Sequence, residues 1–188
     1  MIRHRMRNLD GAAKRALSVL SPSSQPVEIA QTVLHLLARA SLCQWGAYWT
    51  LDAVPGSLRP IAIWNTSTLE TLPLDCDLRR RPLSMSLAKA RQVWRSRRPL
   101  WSTRSVLNVS LLRPRQLAEV DLQAAVWFAV QTDAAVYGVI ELRGQAAESK
   151  APASLAAFER LGFRLGSAIE ELSDAHTVLH WIQMSPGD

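Results

Sequence analysis

The sequence predicts an α+β fold, an antiparallel sheet flanked by helices. Two stretches, 45–64 and 124–143, each carry a pair of apolar and aromatic runs separated by turn residues, the pattern of paired strands. A basic, helix-forming stretch lies between them. Outside them, apolar residues recur at three- and four-residue steps, as one face of a helix requires. An order of helix, hairpin, helical insert, hairpin and helix gives one sheet with helices packed on one side.

The first helix is expected over 5–20, where Met6, Leu9, Ala13, Ala16, Leu17 and Leu20 share a face. Ser21-Pro-Ser-Ser-Gln-Pro26 breaks it. A second helix starts after Ser24 or Gln25, with Pro26 in its first turn, where a missing N–H costs nothing. Its buried stripe is Val27, Ala30, Val33, Leu34, Leu37 and Ala40. Strands follow over 45–51 and 58–64 around a Pro-Gly turn, and Pro60 should lie at an edge or near the start of the second strand, because proline cannot donate to a ladder. Ser84 or Ser86 caps a helix over 84–97, with Leu87, Ala90, Val93 and Trp94 on one side. A short extended piece at 99–101 and a helix over 113–123 complete the insert. Strands over 124–131 and 136–143 are apolar enough to be central in the sheet. Pro152 opens a long helix to about residue 181, with Leu155, Phe158, Leu165, Ile169, Leu172 and Leu179 at near-heptad spacing.

At 188 residues and 48% hydrophobic, the chain is long and apolar enough for one real core. Three parts are expected: a helical extension over 1–23, a main domain over 24–182, and a tail over 183–188. No apolar run reaches the roughly 18–20 residues of a membrane span. The basic first seven residues have no apolar stretch behind them, which argues against a secretory signal; an Arg-rich, acid-poor transit segment is the weaker alternative. Two cysteines, Cys43 and Cys76, make no disulfide framework, so the cytoplasm is the expected compartment.

Charge is divided unevenly. Residues 1–118 hold 18 Lys and Arg against 6 Asp and Glu, a net +12, and residues 119–188 hold 4 against 10, a net −6. The insert over 77–115 alone carries +10. Such a division suits an anionic partner for the first part, or attraction between the two parts or two subunits.

Several segments together are similar to a known family. Trp45-Gly46-x-x-Trp49-x-x-Asp52, Trp64 at the end of the next strand, Val93-Trp94-x-Ser96-x-x-Pro99-x-Trp101, Phe128-Ala129-Val130 and Tyr137-Gly138-Val-Ile-Glu141-Leu resemble, in order, a Trp-rich subset of bacterial GAF domains. The third segment resembles that subset's "VW-x-S-G-x-P-x-W". The likeness covers roughly residues 28–172. Three departures fall beside the ligand region of such domains: the glycine-rich entry to the insert helix is Ser84-Met-Ser-Leu-Ala-Lys, an acidic position is Thr103-Arg104, and a "Phe-Pro" proline is Ala129. The resemblance implies a GAF/PAS-like fold, a regulatory or sensory role without catalysis, and a homodimer joined through its first and last helices. Gly162-x-x-x-Gly166 would allow the close helix approach that such a dimer uses.

Under that resemblance a small molecule, anionic or nucleotide-like, binds between sheet and insert. The expected ligand-binding residues are Trp64, Arg79, Arg80, Arg81, Arg91, Trp94 and Trp101. Arginine suits phosphate because its planar fork offers paired donors, and tryptophans suit a planar ligand. The alternative for the arginines is a solvated basic surface, and for the tryptophans core packing. The alternative function is a protein-interaction module with a closed pocket, whose Arg-rich insert binds an acidic partner.

No catalytic constellation is visible: there is no Gly-x-Ser-x-Gly elbow and no phosphate-binding loop. The chain is therefore expected not to be an enzyme. Glu141 lies within a strand, where a carboxylate needs a partner or solvent, and no acid or base role is assigned to it. Cys76 lacks the following histidine of tetrapyrrole-binding relatives, and His176 with His180, four residues apart, lack a third ligand; His35 has no visible partner. No metal or cofactor is expected, and no groove-reading motif points to nucleic acid.

Overall fold

The computed structural model describes residues 2–21, 24–41, 43–53, 56–65, 84–102, 124–144 and 152–172. The helices are α1 (Ile2–Ser18), α2 (Pro26–Ser41), α3 (Ser84–Ser96) and α4 (Pro152–Leu172); the strands are β1 (Trp45–Leu51), β2 (Leu58–Asn65), β3 (Leu100–Ser102), β4 (Ala124–Gln131) and β5 (Val136–Gly144). The helix expected over 113–123, the extension of the last helix to 181, and Arg79, Arg80, Arg81, Cys76, His176 and His180 lie outside the described residues.

The strands form one antiparallel sheet in the order β2-β1-β5-β4-β3. The β4–β5 hairpin is central, as its apolar sequence predicts. β2 is an edge, one of the two placements Pro60 allows, and its pairing with β1 skips Ile61: Tyr48 faces Ala62 and Trp49 faces Pro60. A bulge beside the proline takes up the lost ladder bond.

β1 and β4 are buried along their whole length. A strand with one wet face alternates polar and apolar residues; one covered on both faces does not. Helices do cover both faces here, which corrects the expectation of helices on one side. Tyr48, Ala62, Val126, Phe128, Val130, Ile140 and Leu142 pack under α1, α2 and α4. The intervening residues Trp45, Ala47, Trp49, Leu51, Ile63, Ala125, Trp127, Ala129 and Val139 pack under α3, against Ala90 and Val93.

Local chemistry sets the helix ends. Gln25 caps α2: its carbonyl accepts from the Ile29 N–H at 3.0 Å, and its own N–H donates to Glu28 Oε2 at 3.0 Å, half of a capping box. The buried stripe of α2 is Ile29, Ala30, Val33, Leu34, Leu37 and Ala38, whereas Val27, expected inside, is 41% exposed. The true stripe is shifted because α2 turns its 29–38 face to both the sheet and α1. Leu9, Ala12, Ala13 and Ala16 bury α1 in the same core, and Arg164 of α4 donates to Asp10 of α1 at 2.8 Å.

Gly162 and Gly166 have a different role from the one expected. A Cβ on Gly162 would lie 1.9 Å from the Ala129 carbonyl oxygen, and one on Gly166 would lie 2.1 Å from that of Gln131. The two glycines bring α4 down onto the β4 backbone of the same chain. Their close approach is helix to sheet, not helix to helix.

Candidate functional site

The face of the sheet under α3 holds Trp45, Trp49 and Trp127. In their midst lies a carboxylate. Glu141 is central on β5, paired with Ala47 on one side and Trp127 on the other, and is 0% exposed. An isolated buried carboxylate is very costly, so its partners decide whether it is tolerated. Trp49 Nε1 donates to Glu141 Oε2 at 3.0 Å. Arg143, two residues along and so on the same face, donates to Oε1 through Nε and closes an ion pair through a second guanidinium nitrogen. The Arg143 side chain is 11% exposed, and its guanidinium lies 4.8 Å from the Trp45 ring centroid, within cation–π range.

The result is a charge-compensated polar centre among three indoles buried beneath α3. Trp127 adds a directional feature. It is 1% exposed, and its indole N–H has no hydrogen-bond partner among the described residues. The register puts Trp45, Asn65, Ser102, Ala124 and Gly144 at one end of the sheet, and the Arg143–Trp45 pair lies at that end.

The residues expected to bind ligand do not all share this face. Trp94 packs with the α3-side cluster. Trp64 pairs with Gly46 and Trp101 with Val126, which puts both on the opposite face, against the core of α1, α2 and α4. Alternation decides this: each is one residue out of step with the α3-facing set. Arg91, on α3, reaches the β1–β2 turn, where one guanidinium nitrogen lies 3.4 Å from Ser57 Oγ; its buried Nε has no partner among the described residues. Arg79, Arg80 and Arg81 fall outside the described residues.

Glu141, Arg143, Trp45, Trp49 and Trp127 do not stand out as a group in the sequence. A signal was present: Glu141-x-Arg143 inside an apolar strand puts opposite charges on one face. What it lacked was the neighbour across the sheet, Trp49, 92 residues away.

Among the described residues, no group of three or more His, Cys, Asp or Glu is placed to hold a metal ion, and no helix is long and apolar enough to cross a membrane. Cys43 is half-buried, and its Sγ accepts from Ser41 Oγ at 3.0 Å, while His35 is exposed.

No protein-family model matches the sequence, and no curated protein gives a significant match. Solved structures do match by fold. The GAF domain of a phosphoenolpyruvate-protein phosphotransferase (ptsP) from Coxiella burnetii aligns with a TM-score of 0.57 at 14% identity, over 90% of this chain and 95% of that one. The nlh2 GAF domain of A. aeolicus, in an inactive state, aligns with a TM-score of 0.59 at 11% identity, over 91% and 99%. A free methionine-R-sulfoxide reductase from Neisseria meningitidis, in complex with its substrate, aligns with a TM-score of 0.51 at 11% identity, over 87% and 90%. The last likeness corrects the expectation that this chain is not an enzyme: the same fold carries catalysis in that protein, so the lack of a familiar motif does not exclude it here. At 11–14% identity these likenesses speak for the fold alone, and the fold of this chain is similar to that of GAF domains from bacterial proteins.

Proposed function

We propose that this chain is a regulatory, sensory domain that binds a small molecule on the α3-facing side of the sheet. The observation that carries the reading is the Glu141–Arg143 pair, buried among Trp45, Trp49 and Trp127. Three indoles offer flat apolar surface, and the Trp127 N–H offers a donor. A planar ligand bearing a hydrogen-bond acceptor fits that chemistry. The net +10 of residues 77–115 favours an anionic one, nucleotide-like compounds included, and Arg79, Arg80 and Arg81 belong to that charge. In the same reading the terminal helices α1 and α4 join two copies and carry the signal. Only a ligand that prefers one helix arrangement can transmit anything.

Native mass spectrometry of freshly purified protein at low collision energy tests this directly. A dimer carrying extra mass that is lost on denaturation supports the reading. A panel of planar anions and nucleotides then follows by thermal shift, where a ligand at 100 times its Kd adds about 2.7 kcal/mol of stability. Trp127→Phe should weaken the bound compound at least several-fold. If no mass is retained, no compound shifts the melting temperature, and an acidic protein is captured in a salt-sensitive way, the pocket reading fails in favour of an interaction surface on the Arg-rich insert.

A further inference from the structure

α3 and α4 lie on opposite faces of the sheet, yet polar contacts run from one to the other around the β4–β5 turn. At the end of α3, the Arg97 carbonyl accepts from Gln131 Nε2 at 3.0 Å, and the Arg97 guanidinium donates to the Asp133 carbonyl at 2.8 Å. The turn itself is closed by the Thr132 N–H on the Ala135 carbonyl at 2.9 Å. On the far side, Tyr137 donates its hydroxyl to Glu170 Oε1 of α4 at 2.8 Å, and Thr132 Oγ1 lies 3.4 Å from the same oxygen.

Two details make this more than a chain of neighbours. The β4–β5 pairing skips Tyr137: Val130 faces Gly138 and Gln131 faces Val136. A bulge re-aims a side chain, and here it puts Tyr137 on the α4 side, in the core with Phe128 and Leu165. Gln131 meanwhile is held twice. Its side chain reaches the end of α3, and its backbone is the surface on which Gly166 of α4 rests. A displacement of Arg97 therefore acts on the residue that sets the seat of α4.

We propose that the β4–β5 turn is a mechanical link, with Arg97, Gln131, Thr132, Tyr137 and Glu170 as positioning residues, through which a change in α3 reaches α4. This rests on the reading of α3 as the cover of the ligand face. It requires that the two helix ends be energetically coupled even in the unliganded protein, and such coupling is reciprocal.

Amide hydrogen exchange on the unliganded full chain tests it. Glu170 is exposed, so Glu170→Ala removes the bond to Tyr137 without opening a cavity in the core. The expected result is about fivefold faster exchange of the Arg97 amide, which is bonded to the Val93 carbonyl on the other face; that is the order of one net hydrogen bond. Arg97→Ala should in turn speed exchange in the last turn of α4, and Tyr137→Phe should reduce that transfer. Effects confined to the mutated face overturn the proposal. So does an equal change at β1 amides, which marks a general loss of stability. Because no ligand is present, the link can fail while binding stands, and binding can fail while the link stands.

Discussion

Gly162→Ala and Gly166→Ala separate two roles for the Gly-x-x-x-Gly pair. In an exposed helix, glycine to alanine stabilises by about 1 kcal/mol through helix propensity. Here the new Cβ meets backbone: 1.9 Å from the Ala129 oxygen in one case, and 2.1 Å from the Gln131 oxygen in the other. Strand backbone in mid-sheet cannot turn aside as a side chain can, so α4 must lift by about 1.5 Å to restore ordinary contact. A gap of about 1 Å already forfeits up to half the attraction of each contact it opens, and the lift loosens Phe158, Leu161, Leu165 and Ile169 together. Overpacking of this kind costs about 1–3 kcal/mol or more, which outweighs the gain in propensity. Each variant should lose about 1–2 kcal/mol in urea unfolding, and about 2–8 °C in melting temperature for a domain of this size. The double variant should lose less than the sum of the two, because one lift of the helix accommodates both methyl groups. Sedimentation alongside unfolding completes the assay. If either variant is as stable as the parent but dissociates a dimer, the glycines serve a helix–helix contact and the packing argument is wrong.

Three further outcomes are expected. Arg143→Met should destabilise by about 3–5 kcal/mol, because it leaves the Glu141 carboxylate buried without its cation, whereas Glu141→Leu with Arg143→Met should recover much of that loss; denaturant midpoints decide. Arg97 holds a φ of 57°, at the position where the "VW-x-S-G-x-P-x-W" pattern has glycine. Arg97→Gly should therefore exceed Arg97→Ala in stability by about 1 kcal/mol, both having lost the bond to Asp133, and equal stabilities would remove the strain. Burial, then the bond to Glu170, pushes the Tyr137 phenol up to about 12, and burial pushes Tyr48 up as well. The unfolded phenols ionise near 10, so the stability from keeping them protonated is full below that pH and falls as pH rises toward 12. Since the chain has two tyrosines, tyrosinate absorbance below about pH 11 should appear only together with unfolding, and its appearance in folded protein would contradict the burial.

Strand and helix identities were legible because they depend on short-range patterns. The alternating aromatic run from Trp45 and the apolar pair of runs ending near Gln131 and Arg143 state their own geometry, and Pro60 and Pro26 mark an edge and a helix start. The order of these elements was enough for the fold class. Which residue faces what was legible only in part. Alternation shows that Trp64 and Trp101 face one side of their strands, but not which side of the sheet that is, since the answer depends on register with strands far along the chain.

The candidate site shows the same division. The sequence by itself determined a basic insert, a tryptophan-rich sheet, and an opposite-charge pair within one strand, because composition and spacing fix these. Only the tertiary structure decided that Glu141 is buried and held by Trp49, that Gly162 and Gly166 rest on β4, and that α3 covers the face opposite to α1, α2 and α4. The reason is that hydrogen bonds and close packing act over a few ångströms of space, whereas the residues that make them lie tens of positions apart in the chain.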